Sequence, residues 1–156
     1  MISVAIITLN EENNIERCLQ SLCFGPKGWN ELIDEIVILD SGSTDRTEAL
    51  AMAFPKVRWE VQVPFLGHIQ QKQRAAELAN NDWILSLDAD EALTETLQHA
   101  LLNASLEPGN AFLWNRLNCS RRFYRIYIIY KGFDVFYAFS CVISKCREAY
   151  EIFICY

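Results

Sequence analysis

Three short apolar runs limit what this chain can fold into: "ISVAIITL" (2–9), "EIVILD" (35–40) and "DWILSLD" (82–88). Each is rich in Ile, Val and Leu and nearly unbroken. That is the pattern of a strand covered on both faces, because a strand with one wet face alternates. Between the runs the apolar spacing becomes helical. Ile15, Cys18, Leu19 and Leu22 fall at i, i+3, i+4 and i+7 and predict a helix with one buried side. "FGPKGWN" (24–30) breaks it. "SGSTD" turns into a second helix, with Asp45 and Glu48 at capping-box spacing. Ala49, Leu50, Ala53 and Phe54 supply its apolar side, and Pro55 stops it. "VRWEVQV" (57–63) alternates and predicts a half-exposed strand near a sheet edge. A helix is expected over 69–79, a strand over 83–87, and a last helix carrying Leu93, Leu97 and Leu101 before Pro108-Gly109.

Strands that alternate with helices build an α/β fold around a mostly parallel sheet. Ligands of such sheets bind beyond the carboxyl ends of the strands. Three polar clusters follow strand ends here: Thr8-Leu9-Asn10-Glu11, Asp40-Ser41-Gly42-Ser43 and Asp88-Ala89-Asp90. The topology brings all three to one rim.

A chain of 156 residues suits one domain and one core. Its charge is uneven. Residues 1–109 hold 7 Lys and Arg against 17 Asp and Glu, whereas 110–156 hold 7 against 3. The acidic body disfavours nucleic acid as a partner. The basic tail also holds 13 of the 19 aromatic residues, which suits peripheral contact with an anionic membrane through Arg121, Arg122 and Arg125, although an accident of sequence explains it too. No apolar run reaches the ~18 residues of a membrane helix. The N-terminus lacks a basic stretch and a cleavage site, so no signal peptide is expected and the expected location is cytoplasmic. The six cysteines form no C-x-x-C pair and no zinc spacing, and are read as free thiols.

In an extended segment, side chains at i and i+2 point the same way, so Asp88 and Asp90 can face one ligand. Two adjacent carboxylates need a counter-charge or a shared proton. A hard divalent cation with phosphate oxygens meets that need. A carboxylate pair for acid–base chemistry, or a solvated strand end before a helix, fits the spacing too. Asp40 repels phosphate but can accept hydrogen bonds from a base or ribose; a capped turn explains it equally. Lys72 and Arg74 sit on the helix before the acidic strand, where one could meet a diphosphate or both could be solvated. His68 and His99 are lone and read as structural or surface residues. Neither a G-x-G-x-x-G nor a P-loop is present.

Taken in order, "T-x-N-E", "DSGSTDRT" and "DWILSLDADE" resemble family 2 glycosyltransferases, and among them bacterial enzymes that add a hexose to the lipopolysaccharide inner core. The resemblance covers residues 2–106. It implies a GT-A, Rossmann-like three-layer α/β/α fold, incomplete at the C-terminus. It implies inverting, metal-dependent transfer of a hexose, with glucose favoured, from a UDP-sugar to a lipopolysaccharide-core or related glycan at the inner face of the inner membrane. Thr8, Asn10 and Glu11 match the strand end that contacts the nucleoside. Asp40, with Ser41 and Gly42 of its turn, matches the part that binds uracil or ribose. Lys72 matches a lysine near the nucleotide-sugar, although Gln73 stands where asparagine is usual. Asp88 and Asp90 match the D-x-D motif, which holds Mg2+ or Mn2+ on the diphosphate.

Residues 1–109 are thus read as the donor-binding half, and 110–156 as a tail that does not match the family. Its acids, Asp134, Glu148 and Glu151, lie in no familiar context, so no general base is assigned. The shift in composition near residue 110 reads as a truncation or a change of reading frame. A non-catalytic, nucleotide-sugar-binding remnant is the alternative expectation. A nucleotidyltransferase would need a glycine-rich phosphate loop after the first strand, and none is there.

Overall fold

The first apolar run forms β1 (Ile2–Thr8), buried along its whole length. In this computed structural model, residues 1–104, 111–115, 125–130 and 153–155 are described. The chain continues through α1 (Ile15–Cys23), α2 (Trp29–Leu32), β2 (Ile33–Asp40), α3 (Thr47–Ala51), β3 (Val57–Val61), α4 (His68–Leu78), β4 (Trp83–Asp88) and α5 (Glu95–Leu102). Three further strands follow: β5 (Ala111–Asn115), β6 (Arg125–Tyr130) and β7 (Phe153–Cys155).

The sheet runs β3-β2-β1-β4-β6-β5-β7, with β3 at an edge as its alternation predicts. β3, β2, β1 and β4 are parallel. The expected parallel character ends there, because β6 lies antiparallel to β4 and both β6 and β7 lie antiparallel to β5. The order reverses at β1: β2 and β3 extend the sheet one way, and β4 returns to the other side of β1. That reversal opens a crevice above the β1 and β4 ends.

Side-chain parity assigns the two faces. Ile2, Val4 and Ile6 of β1 join Ile36 and Ile38 of β2 and Leu85 and Leu87 of β4 under α1, α2 and α5. Ala5 and Ile7 join Val37, Leu39 and Ile84 under Ala75 and Ala76 of α4. Small alanines let α4 lie close to the sheet. Each fully buried Leu or Ile contributes about 1.5–3 kcal/mol.

The predicted face of α1, Ile15, Cys18, Leu19 and Leu22, is the buried one. α2 was not legible in the breaker segment. It forms because Trp29 buries its ring and donates its indole N–H to the Leu22 carbonyl at 2.9 Å. Gly25 makes room, since a Cβ there would stand 2.5 Å from the ring. Two expectations for α3 fail. No capping box forms, because Asp45 bonds to the N–H of Thr47 rather than to Glu48. The inner side is Thr47 and Ala51 with Leu50 and Phe54 partly buried, while Ala49 and Ala53 are exposed. In α5, Leu93 precedes the helix, Thr94 caps it, and buried Gln98 reaches the Ser21 and Phe24 carbonyls at the end of α1.

Below the sheet, at the amino ends of the strands, Ser3 donates to Glu35 at 2.6 Å and accepts from Asn81. Glu35 also accepts from Asn80 and pairs with Arg58 at 3.8 Å. Among the described residues, no helix is long and apolar enough to cross a membrane.

Candidate nucleotide-sugar site

The carboxyl ends of β1, β2 and β4 carry the three polar clusters, and strand register sets them side by side. Thr8 lies opposite Asp40, and Ile7 lies opposite Asp88. A cleft of about 430 Å3 opens above them, lined by Thr8, Glu11, Ser41, Asp88 and Asp90, with Phe65 and His68 on one wall.

The loops after β1 and β2 are bonded to each other. Asn10, held at a φ of 54°, donates its N–H to Ser43 Oγ and accepts the Thr44 N–H on Oδ1, both at 2.8 Å. The Glu11 N–H donates to Thr47 Oγ1 at 2.8 Å, and the Glu12 N–H to Asp45 Oδ2 at 3.2 Å. Thr47 Oγ1 in turn donates to Asp45 Oδ1. Partial desolvation opposes charge on Asp45, but the Thr47 and Glu12 hydrogen bonds outweigh it and hold the carboxyl below its ordinary value.

Asp40 is buried and shapes its own turn. Its Oδ2 accepts the N–H groups of Gly42 and Ser43 at 2.8 and 2.7 Å, and its Oδ1 accepts Ser43 Oγ at 2.5 Å. Gly42 takes a φ of 98°, and a Cβ there would also crowd Val63 at 3.2 Å. Thr8, Glu11 and Ser41 line the cleft, and Asn10, Asp40 and Gly42, also expected there, do not. Thr8 is 5% exposed, and its hydroxyl has no hydrogen-bond partner among the described residues. A buried hydroxyl left unpaired costs about 1–3 kcal/mol.

α4 reaches both rims. Gln71, fully buried, donates to Ser41 Oγ at 3.2 Å. Its neighbour Lys72 pairs with Asp88 Oδ1 at 2.9 Å. The Lys72 side chain is 11% exposed and that of Asp88 41%. Because Asp88 Oδ1 is itself buried, the open part of the carboxylate is its Oδ2 side. Arg74, the other cation considered, pairs with Glu77 along the helix and stays away from the cleft wall.

The acidic cluster differs from its sequence reading in one respect. β4 ends at Asp88, and Ala89 and Asp90 form a turn closed by the Glu91 N–H donating to the Asp88 carbonyl at 3.0 Å. The extended i, i+2 relation does not hold, yet Asp88 and Asp90 share the cleft. Glu91 points away from it and is buried. Burial, and then the Asp88 and Asp90 charges, push its carboxyl up to about 7 against a hydrogen bond from the Asp88 N–H and the Lys72 charge.

The model for glycosyl transferase family 2 matches residues 3–152. The chain belongs to that family. An uncharacterized glycosyltransferase of Rickettsia bellii is 42% identical over 98 residues, which are 62% of this chain and 30% of that protein. The lipopolysaccharide core biosynthesis glycosyltransferase LpsC of Rhizobium meliloti is 39% identical over 103 residues, 64% of this chain and 35% of LpsC. The chain thus spans about a third of these relatives. Among solved structures, S. aureus TarS 1–349 in complex with UDP is similar at 25% identity and a TM-score of 0.55, over 65% of this chain and 31% of TarS. The family 2 fold therefore places the four parallel strands and their rim as the sequence predicts.

A family 2 donor site that uses a metal needs hard oxygen ligands with room for phosphate, and Asp88 and Asp90 fit that need. Among the described residues, no three His, Cys, Asp or Glu side chains gather into a protein-only metal cluster. Two carboxylates on an open cleft suit Mg2+ or Mn2+, which keep phosphate and water in their shells. Phe65 and His68 escaped the sequence reading as cleft residues. They meet edge to face, centroids 5.2 Å apart, where β3 runs into α4. The only signal was an exposed aromatic before the helix, and such residues are common.

Proposed function

We propose that this chain forms the donor-binding half of an inverting, metal-dependent hexosyltransferase that uses a UDP-sugar, glucose being the favoured hexose. One observation carries the reading: Thr8, Ser41, Asp88 and Asp90, from the ends of three neighbouring parallel strands, line one cleft, and Lys72 pairs with Asp88. That cleft offers polar groups to a nucleoside and two carboxylates to a metal on a diphosphate. The likeness to TarS solved with UDP supports uridine, and the likeness to LpsC supports a lipopolysaccharide-core or related glycan acceptor.

In inverting transfer, an acceptor hydroxyl oxygen attacks the sugar C1 as the bond from C1 to the diphosphate oxygen breaks, and a base takes the hydroxyl proton. Thr8 and Ser41 would hold the nucleoside, and the ordered Asp40 turn would orient it. Lys72, already at the β4 end, would meet the diphosphate as negative charge grows on it. A Mg2+ or Mn2+ on Asp88 and Asp90 would neutralise the departing UDP. The base is assigned to none of the described residues.

The site of action fits the cytoplasmic face of the inner membrane, where a lipid-anchored acceptor is within reach. Arg121 and Arg122 lie outside the described residues, and Arg125 is described only as the first residue of β6. Flotation of the chain with anionic liposomes tests the contact, and an unbound fraction equal to that with neutral liposomes removes it.

Calorimetric titration with UDP, with and without Mn2+, tests the donor site. Binding should tighten with Mn2+, and Asp90→Ala should remove that gain. A gain that survives Asp90→Ala would sink the metal assignment.

A further inference from the structure

Glu91 is the acid of the 88–91 cluster that does not line the cleft, and it is only 5% exposed. Its Oε2 accepts the Asp88 N–H at 2.9 Å, and its own N–H donates to the Asp88 carbonyl at 3.0 Å. The same two residues thus close the turn twice. From α1, Arg17 Nη2 donates to the Asp90 carbonyl at 2.6 Å. Both ends of the acidic turn are held by side chains that never enter the cleft. A carboxylate taken out of water to bond a single backbone N–H is an unfavourable way to stabilise a turn. What it gains is position: the Asp88 N–H fixes the peptide from which the Asp88 side chain leaves, and the Asp90 carbonyl fixes the next.

We propose that Glu91 and Arg17 are positioning residues, holding the 88–91 turn in the shape that presents both the Asp88 and the Asp90 carboxylates to one cation on the donor diphosphate. The role rests on the UDP-and-metal reading above. Octahedral cations such as Mg2+ tolerate little error in ligand placement, so a turn free to rotate would lose the second carboxylate first. Nucleoside contacts, which come from β1 and β2, would be untouched.

The test is UDP titration of the full chain with and without Mn2+, taking the ratio of the two affinities as the metal increment. Glu91→Ala should cut the increment about tenfold or more, in the range of lost ligand-supporting bonds, while metal-free UDP binding is unchanged. Glu91→Gln, whose amide oxygen still accepts the Asp88 N–H, should keep most of it. Arg17 is exposed, so Arg17→Ala should fold and should also lower the increment. If circular dichroism shows Glu91→Ala unfolded, Arg17→Ala and Glu91→Gln decide. A folded Glu91→Ala or Arg17→Ala with the full increment overturns the role of that residue. Glu91→Gln as weak as Glu91→Ala overturns the hydrogen-bond account in favour of charge. A wild-type chain with no increment overturns the metal reading itself.

Discussion

Lys72 Nζ stands 2.9 Å from Asp88 Oδ1, joining the helix that covers one face of the sheet to the strand end at its switch point. The lysine is largely buried and does not line the cleft, whereas the aspartate is half open; under the proposed donor reading Lys72 would act on a diphosphate through its pair with Asp88. Lys72→Ala should weaken UDP binding by about tenfold, or 1.4 kcal/mol. The loss should be larger at low salt than at high, because part of it is long-range attraction. Titration at two ionic strengths measures both. Equal affinity in the variant would remove Lys72 from the donor site.

Thr8 separates binding from stability. Its hydroxyl has no partner among the described residues, which is a cost in the free protein; under the proposed donor reading it would gain one in the bound protein. Thr8→Val replaces that hydroxyl by a methyl of similar shape. The variant should be equally stable or more so, by up to about 1 kcal/mol, and should bind UDP about 3- to 10-fold more weakly. Thermal melts and titration of one sample read both. A destabilised Thr8→Val would show that the hydroxyl has a partner in the folded chain.

Burial pushes the Cys18 thiol up to about 12, with the Glu91 charge adding to it. The folded value lies above the unfolded one, so this group contributes stability that is full below the unfolded value of about 9 and is lost as pH rises towards the folded value. At pH 8 the native thiol is neutral and enclosed. Iodoacetamide, followed by peptide mass mapping, should leave Cys18 unmodified in native conditions and modify it in denaturant. Rapid native labelling at Cys18 would contradict its burial.

Gly25 lies where the Trp29 ring passes. Gly25→Ala would force the ring or the backbone to shift, which should cost about 1–3 kcal/mol. Trp29 should move towards water, giving a red-shifted emission in the variant and a lower denaturation midpoint.

The parallel strands were legible because a strand buried on both faces leaves an unbroken apolar run, as in Ile2–Thr8 and Trp83–Asp88. Their ends named the rim, and Thr8, Glu11, Ser41, Asp88 and Asp90 do meet there. What local pattern could not carry was tertiary. Trp29 makes a helix by filling a pocket, not by propensity. Asp45 and Glu48 have the spacing of a box, but Thr47 and the β1 loop compete for the Asp45 carboxylate and win. Glu91 looks like a third exposed acid until the turn folds it inward. In the aromatic tail a short strand over 126–130 is legible and is found as β6 (Arg125–Tyr130), but without a clean period its antiparallel pairing with β4 is not.

The hydrogen bonds between Asn10 and Ser43 and between Glu11 and Thr47 run from one loop to the other. Neither loop is shaped by its own residues alone. Anyone wishing to reshape the cleft of this scaffold must therefore transplant the two segments, roughly 9–12 and 40–47, as one inheritance. A single-loop graft would arrive with its donors and acceptors addressed to a neighbour that is no longer there.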